Sequence, residues 1–404
     1  MPDPRKPRLL VLNQYYWPGI EATAQLLTDL CEALAEDAEV TVITGMLHGN
    51  EDAPRRLVRN GVRIVRVPST SFERSRLVAR ASNYITYLTN ALVHGLRGRR
   101  PDVVLCMTDP PIVADIALVV AKRYRVPLVV VSQDVFPEIA VQLKRLENPV
   151  AMRLLRSLVS LYLRRADRIV AIGDTMRRRL EEKGAPPERV RVIPNWIDTS
   201  RLEPHERGNW WAEKRGVKDK FVVMHSGNVG HAQDLDSLVR AATFLRDLDD
   251  VAILVIGSGA RHNELVALAE LLEVEQVTFL YYQARDVLPL SLSAADVHVV
   301  GLAPGLAGYV VPSRLYGILA VARPVIVAAD AESETAQVVQ EAGCGIVVPP
   351  GRPELLARAI RDAHDGRYDL GEMGRRGREW VEREADRSVA LRRYRDLLGE
   401  LAPT

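Results

Sequence analysis

Short β-branched apolar runs alternate with longer segments of helical periodicity along most of the chain. In the first half the pattern predicts strands at Leu9–Leu12, Val40–Ile43, Val62–Val67, Val103–Cys106, Leu128–Val131, Ile169–Ile172 and Val190–Ile193. It predicts helices at Ala22–Ala35, Leu77–Leu96, Val113–Arg123, Pro149–Leu163 and Thr175–Lys183. Continuously apolar strands separated by helices belong to a parallel sheet covered on both faces. The alternation pauses over 194–220, PNWIDTSRLEPHERGNWWAEKRGVKDK, a polar, turn-rich stretch with three of the five tryptophans that reads as an inter-domain connection. Strands resume at Phe221–His225, Ala252–Ile256, Val277–Tyr281, Val297–Val300, Val325–Val327 and Gly345–Val347, and Leu370–Leu398 is helical and heavily charged. The expected class is α/β, with two Rossmann-like doubly wound domains facing a cleft. The expected limits are 1–198 and 199–370, with a helical tail, 371–404, packing back on the first domain.

Composition narrows the function. Net charge is +2, from 54 basic and 52 acidic residues, so no global field points to nucleic acid. Cys31, Cys106 and Cys344 are far apart in apolar surroundings and read as buried free thiols of a reducing compartment. The opening MPDPRKPRLL lacks the apolar core of a signal peptide, and no apolar run approaches the ~20 residues that span a bilayer. A cytoplasmic protein is expected. Two basic amphipathic segments, Arg74–Arg100 and Met152–Arg168, suit either a solvated face over a core stripe or contact with an anionic membrane surface. His94, inside the first, reads as structural.

Candidate chemistry gathers at strand ends. In 311–327, VPSRLYGILAVARPVIV, Ser313 is placed to cap a helix start beside the fixed charge of Arg314, a combination suited to phosphate. Gly227 and Gly230 in FVVMHSGNVGHAQDLDSL, and Gly257 in VAILVIGSG, allow close backbone approach after a strand. The third position of the second glycine pattern is His262, which makes it a fold signature more than a dinucleotide fingerprint. Asp234, Asp236, Asp247 and Asp249 read as helix-start and turn residues, and no catalytic metal is expected. VVSQDVFPE sets Gln133, Asp134 and Glu138 just past a buried strand, where a carboxylate could accept a proton, cap a helix or join an ion pair. LNQYYWPGIEA puts Tyr15, Tyr16, Trp17 and Gly19 in the first loop, where aromatic rings suit a sugar or lipid-linked acceptor or ordinary packing.

These segments, with IVAIGDTMRRRLEEKGAPPERVRVIPNWID, AADVHVV and GCGIVVPPGRPELLARAI, resemble the retaining glycosyltransferases of family 4, which have the GT-B fold. The aromatic-Pro opening and DVFPE are similar to the WbuB/WcaI-like branch of O-antigen and colanic acid glycosyltransferases. The resemblance implies a hexosyl- or N-acetylhexosaminyl-transferase that uses a nucleotide-sugar donor, a UDP-sugar, and a lipid-linked or saccharide acceptor in cell-surface polysaccharide synthesis. It implies no cofactor and no metal. On the donor side it assigns Gly227, Asn228 and Gly257 near the diphosphate, Arg314 paired to it, and Leu315 and Tyr316 at the helix N-terminus. Gln283 would hold the base through its backbone, the loop Pro304–Val311 would wrap the sugar, and Glu334 would sit at a later helix start facing the cleft. Asp134, Arg314 and Glu138 are the catalytic candidates, and Tyr16, Trp17 and Gly19 the acceptor-side ones. The chain departs from the family pattern at Asn228, Ala232 and Gln233, where phosphate-binding Arg and Lys are usual. It also departs at Gly317 and near Tyr309, where a pair of glutamates is usual, and at Gln133, often His. Two alternatives stand beside transfer: a catalytically degenerate scaffold, which those departures support, and another enzyme on the same fold, such as a UDP-sugar 2-epimerase, against which the scarcity of acid/base groups weighs.

Overall fold

A computed structural model describes residues 5–19, 21–46, 53–70, 72, 77–142 and 149–401. The chain divides into two compact units, Met1–Pro194 with Leu391–Thr404, and Asn195–Ala390. The first unit holds β1 (Arg8–Leu12), β2 (Glu39–Thr44), β3 (Arg56–Arg59), β4 (Val62–Arg66), β5 (Val103–Met107), β6 (Leu128–Ser132), β7 (Arg168–Ala171) and β8 (Val190–Val192). They form one sheet in the order β3-β4-β2-β1-β5-β6-β7-β8, parallel except for the β3–β4 hairpin. The second unit holds β9 (Phe221–Ser226), β10 (Val251–Ile256), β11 (Val277–Leu280), β12 (Val297–Gly301), β13 (Val325–Ala328) and β14 (Gly345–Val348), all parallel, in the order β11-β10-β9-β12-β13-β14.

Helices between the strands cover the sheets, as expected of central strands whose residues are buried without alternation. In each unit the chain winds outward from a central strand in one direction and then in the other. The reversal falls between β1 and β5 in the first unit and between β9 and β12 in the second. Ligands of doubly wound sheets bind outside the carboxyl ends of the strands at such reversals.

Three expectations change. The stretch 194–220 is not a bare connection: Trp211 and Val217 pack with Val222, Met224 and Leu254, and a helix, Trp210–Lys214, is capped by the Asn209 side chain. Burial of the indole makes it part of the second unit. The tail is not one body. A helix at Leu370–Glu384 packs on the second unit, with Trp380 stacked on Tyr316 at 6.3 Å and Gly374 lying close beneath the Ala322 carbonyl. Only the segment from Leu391 belongs to the first unit, where Arg395 reaches Glu36 and Asp37. Between the two tail helices, Asp386 bridges to Ile197 and accepts hydrogen bonds from Thr199 and Ser388, which ends the first helix and starts the second, Arg387–Gly399. The hairpin strand β3 was not anticipated at all.

Candidate functional site

The carboxyl end of β9 carries the most organised polar cluster of the second unit. Gly227 follows the strand at φ +147°, and Gly257 follows β10 at φ +141°. Gly227 N–H donates to the Ile256 carbonyl, and Val229 N–H donates to Ser258, so the two turns interlock. A Cβ on Gly257 would stand 1.9 Å from the Gly227 oxygen, and one on Gly259 would stand 2.3 Å from the Val229 oxygen. Glycine is therefore required at 257 and 259 by backbone-to-backbone contact. The Arg314 guanidinium lies over this floor, its Cζ 3.2 Å from where a Cβ of Gly227 would be.

Arg314 opens the helix Arg314–Ala320, which follows β12, so the reversal between β9 and β12 brings it above Gly227. Its Nη1 is 2.7 Å from His225 Nε2 and 3.3 Å from His225 Nδ1. His225 is fully buried at the end of β9, and burial together with the adjacent guanidinium holds its pKa well below the ordinary histidine value. The ring is therefore neutral. Burial lowers Arg314 to about 10, which leaves it a cation at neutral pH. Among the described residues no carboxylate pairs with Arg314.

The other donor-side residues fall around this cluster in different ways. Asn228 is exposed on the first turn. The Gln283 side chain accepts from the Trp211 indole at 2.9 Å and lines a 450 Å³ pocket with Trp210, Trp211, Tyr281 and Tyr282. Leu315 and Tyr316 bury their side chains, while their N–H groups close short turns onto the Pro312 and Ser313 carbonyls at 3.3 Å. Ser313 does not cap the helix: it is itself in helical conformation and its side chain makes no cap bond. Arg314 thus supplies the charge of this helix start without the expected hydroxyl. Glu334 is the first residue of a helix that Ser333 does cap, at 3.3 Å to Ala336 N–H. In the loop Pro304–Val311, Leu306, Ala307 and Val311 are buried, and Gly305 N–H donates to Asp330.

In the first unit the sheet reversal collects the other candidates, with corrections. Tyr16 is fully buried and Tyr15 nearly so, so neither ring offers a stacking face, and burial raises the Tyr16 hydroxyl far above its usual range. Trp17 remains half-buried, with the Arg59 and Arg66 guanidinium groups 4.9 and 5.5 Å from its ring. Gly19 donates to the Tyr16 carbonyl, and a Cβ there would meet that oxygen at 2.9 Å, so it is a packing glycine of the turn. Beyond β6, Gln133 N–H donates to Thr108 and its side chain is buried, whereas Asp134 reaches solvent. Surrounding protein mass raises the Asp134 carboxyl to about 6. Glu138 does not join it as a reacting group. One oxygen pairs with Lys183, which also donates to the Phe136 carbonyl, and the other pairs with Arg156 at 3.3 Å. The Glu138 carboxylate is an ion-pair anchor for the loop.

Three of the four aspartates singled out in the sequence have structural partners. Asp234 accepts from Ser237 and Gly351, Asp236 pairs with Arg261, and Asp247 pairs with Arg361. Among the described residues no group of three or more His, Cys, Asp or Glu side chains is placed to hold a metal. His225 was missed by the sequence reading, although a histidine in an otherwise apolar buried strand was a visible anomaly.

Two doubly wound parallel sheets of this order have the GT-B fold, and solved structures agree. HepE from Anabaena, solved with UDP and glucose, superposes with a TM-score of 0.77 at 16% identity over 98% of this chain and 100% of its own. Sucrose-phosphate synthase from Thermosynechococcus elongatus gives 0.78 at 17% identity over 98% and 99%, and WaaG of lipopolysaccharide biosynthesis gives 0.72 at 17% over 96% and 99%. The glycosyl transferase 4-like domain profile matches residues 22–196, and the glycosyl transferases group 1 profile matches 209–380. WbjE of Pseudomonas aeruginosa, named as a glycosyltransferase, is 31% identical over 75% of this chain and 77% of its own. WcaI of Escherichia coli K12, named for colanic acid biosynthesis, is 29% identical over 57% of each. The chain belongs to the family 4 glycosyltransferases, in the WcaI-like branch.

Proposed function

We propose that the chain is a retaining glycosyltransferase that moves a sugar from a UDP-sugar to a lipid-linked or saccharide acceptor in cell-surface polysaccharide synthesis. One observation carries the reading: Arg314 is a cation with no carboxylate partner among the described residues, held over a glycine floor where the second sheet reverses. A diphosphate is the chemistry that uses such a group. It binds to the guanidinium in the ground state, and its growing charge as leaving group is stabilised further as the glycosidic bond breaks. The UDP and glucose bound to HepE support UDP as the nucleotide, and the colanic acid name of WcaI supports the polysaccharide product. The acceptor hydroxyl attacks the face that the diphosphate leaves, which retains the anomeric configuration. Asp134 is the carboxylate assigned to the acceptor side. No metal or cofactor enters the scheme.

The proposed location is cytoplasmic, on the inner face of the cell membrane. No helix among the described residues is long and apolar enough to cross a membrane. Exposed arginines of the first unit support a surface contact: Arg56, Arg63, Arg97 and Arg99 line an open 720 Å³ groove. The test is thermal unfolding with UDP, GDP, ADP and TDP, without metal, for the wild type and Arg314→Ala. A nucleotide at 100 times its Kd stabilises the wild type by ~2.7 kcal/mol, and Arg314→Ala abolishes the shift. A UDP-specific shift followed by product of retained configuration supports transfer. No shift with any nucleotide overturns it in favour of a scaffold.

A further inference from the structure

We infer that His225 is the positioning residue of the donor site: a neutral imidazole face that seats the Arg314 guanidinium, so that protonation of this one ring dismantles the anion site. The inference rests on the reading of Arg314 as the diphosphate partner and adds the device that holds it.

The geometry comes first. Nη1 of Arg314 stands at comparable distances, 2.7 and 3.3 Å, from both nitrogens of one ring. No point in line with a ring nitrogen's lone pair is so close to the other nitrogen. The guanidinium nitrogen therefore lies over the imidazole face, the arrangement in which a cation gains from a neutral ring. The ring is pinned from behind: Nδ1 is 3.3 Å from the Val299 carbonyl of β12, and the Asn228 backbone is a second partner. From below, the floor at Gly227 leaves no room for the guanidinium to drop away. An arginine side chain with four free torsions is thus fixed on two sides without a carboxylate that would compete with a phosphate for its charge.

The surroundings decide what protonation does. Facing His225 are Arg314 from its helix, His298 from β12, and the backbone of Val299 and Asn228. His298 is itself buried and neutral, lowered to about 4, and its Nε2 donates to the Leu292 carbonyl. Tyr282, after β11, acts on Arg314. Among the described residues no acidic side chain acts on His225. A proton added to the ring therefore meets a guanidinium in contact, in a site where burial already disfavours charge, with nothing to neutralise either. The guanidinium moves off its seat, and the diphosphate loses its partner.

The test is calorimetric titration with UDP-glucose from pH 5 to 8. UDP-glucose is chosen over UDP because a free terminal phosphate titrates near pH ~6 and would mask the effect. In the wild type, affinity holds through the ordinary histidine range, where the ring stays neutral, and weakens only toward the acid end of the titration. His225→Gln, neutral at every pH and able to donate to Val299, binds within about threefold of wild type at pH 8 and loses the acid weakening. His225→Ala binds about three- to thirtyfold more weakly at pH 8, the worth of a desolvated cation–ring contact. Thermal unfolding of each variant at each pH separates binding from folding. An acid limb in His225→Gln equal to that of the wild type, or wild-type affinity in His225→Ala, overturns the inference while the donor-site reading stands. Arg314→Ala with wild-type affinity overturns the reading instead. A wild-type protein that takes up neither UDP-glucose nor GDP-mannose overturns both.

Discussion

The interlocked turns after β9 and β10 allow one chemical change to be given opposite signs at two positions. At Gly257 the backbone is at φ +141°, and a methyl group would stand 1.9 Å from the Gly227 carbonyl oxygen. Gly257→Ala therefore carries backbone strain of ~1–3 kcal/mol and forces apart two strand ends at a further ~1–3 kcal/mol. The expected loss is about 2–6 kcal/mol. At Gly317, inside the helix Arg314–Ala320, the nearest atom to a new methyl group is Leu292 Cδ1 at 3.8 Å, an ordinary contact. Gly317→Ala removes backbone entropy from the unfolded chain and is expected to stabilise by ~0.5–1 kcal/mol.

Urea unfolding followed by tryptophan fluorescence reads this directly, because four of the five tryptophans, Trp196, Trp210, Trp211 and Trp380, belong to the second unit. The midpoint moves down for Gly257→Ala and up for Gly317→Ala, with slopes unchanged. Donor affinity also falls in Gly257→Ala, since a displaced Gly227 carries the floor under Arg314 with it. Midpoints that move the same way, or a Gly257→Ala protein within ~0.5 kcal/mol of wild type, would refute the argument from turn geometry.

Four more outcomes follow. Transfer rate falls as pH drops through about 6, where the Asp134 carboxylate takes up its proton, and Asp134→Asn is inactive across the range while remaining folded; a pH–rate profile decides. Glu138→Gln leaves the half-buried Lys183 without its anion, so the protein loses ~1–3 kcal/mol of stability while kcat stays close to wild type in a steady-state assay. Asp115 is buried without a hydrogen-bond partner for either oxygen and raised to about 7; the unfolded chain sheds that proton first, so stability falls as pH rises from about 4 to 7, by on the order of 4 kcal/mol. Asp115→Asn flattens that slope in denaturation curves taken at successive pH values. Gly317→Glu, whose Cβ would meet only Leu292 at 3.8 Å, tightens UDP-glucose binding if the position faces the ribose as in the family, and calorimetry measures it.

Hydrophobic pattern carried the sheets, and the reason is physical. Central parallel strands are buried on both faces, so each reads as an unbroken apolar run, and thirteen of the predicted runs became strands. The exception, β3, sits at the sheet edge with alternating exposure, and its RLVR has no such run. Its signal was the turn instead: Asn60 and Gly61, both at positive φ, form the two-residue link to β4. The helix and core contacts within the polar stretch 194–220 were hidden for the converse reason. Its charged residues outnumber the few side chains, Trp211 and Val217, that decide where it packs.

For the site, position along the chain was legible and side-chain destination was not. Tyr16, Glu138 and Ser313 all lie at strand or helix ends as expected. Yet the first turns into the core, the second into an ion pair, and the third makes no cap. What separates a site from a packed loop is the charge left unspent, and the two units make opposite use of the same architecture. In the first unit, Arg66 at the end of β4 donates to the Pro54 and Trp17 carbonyls, and Arg59 at the end of β3 pairs with Glu32, so both cations beside the Trp17 ring are already engaged. At the reversal of the second sheet, Arg314 has a neutral ring and a glycine floor around it and no carboxylate partner among the described residues. A cation kept half-buried without a partner costs stability in the free protein. On the proposed reading, the recovery of that cost on binding is what would give a diphosphate its affinity at Arg314.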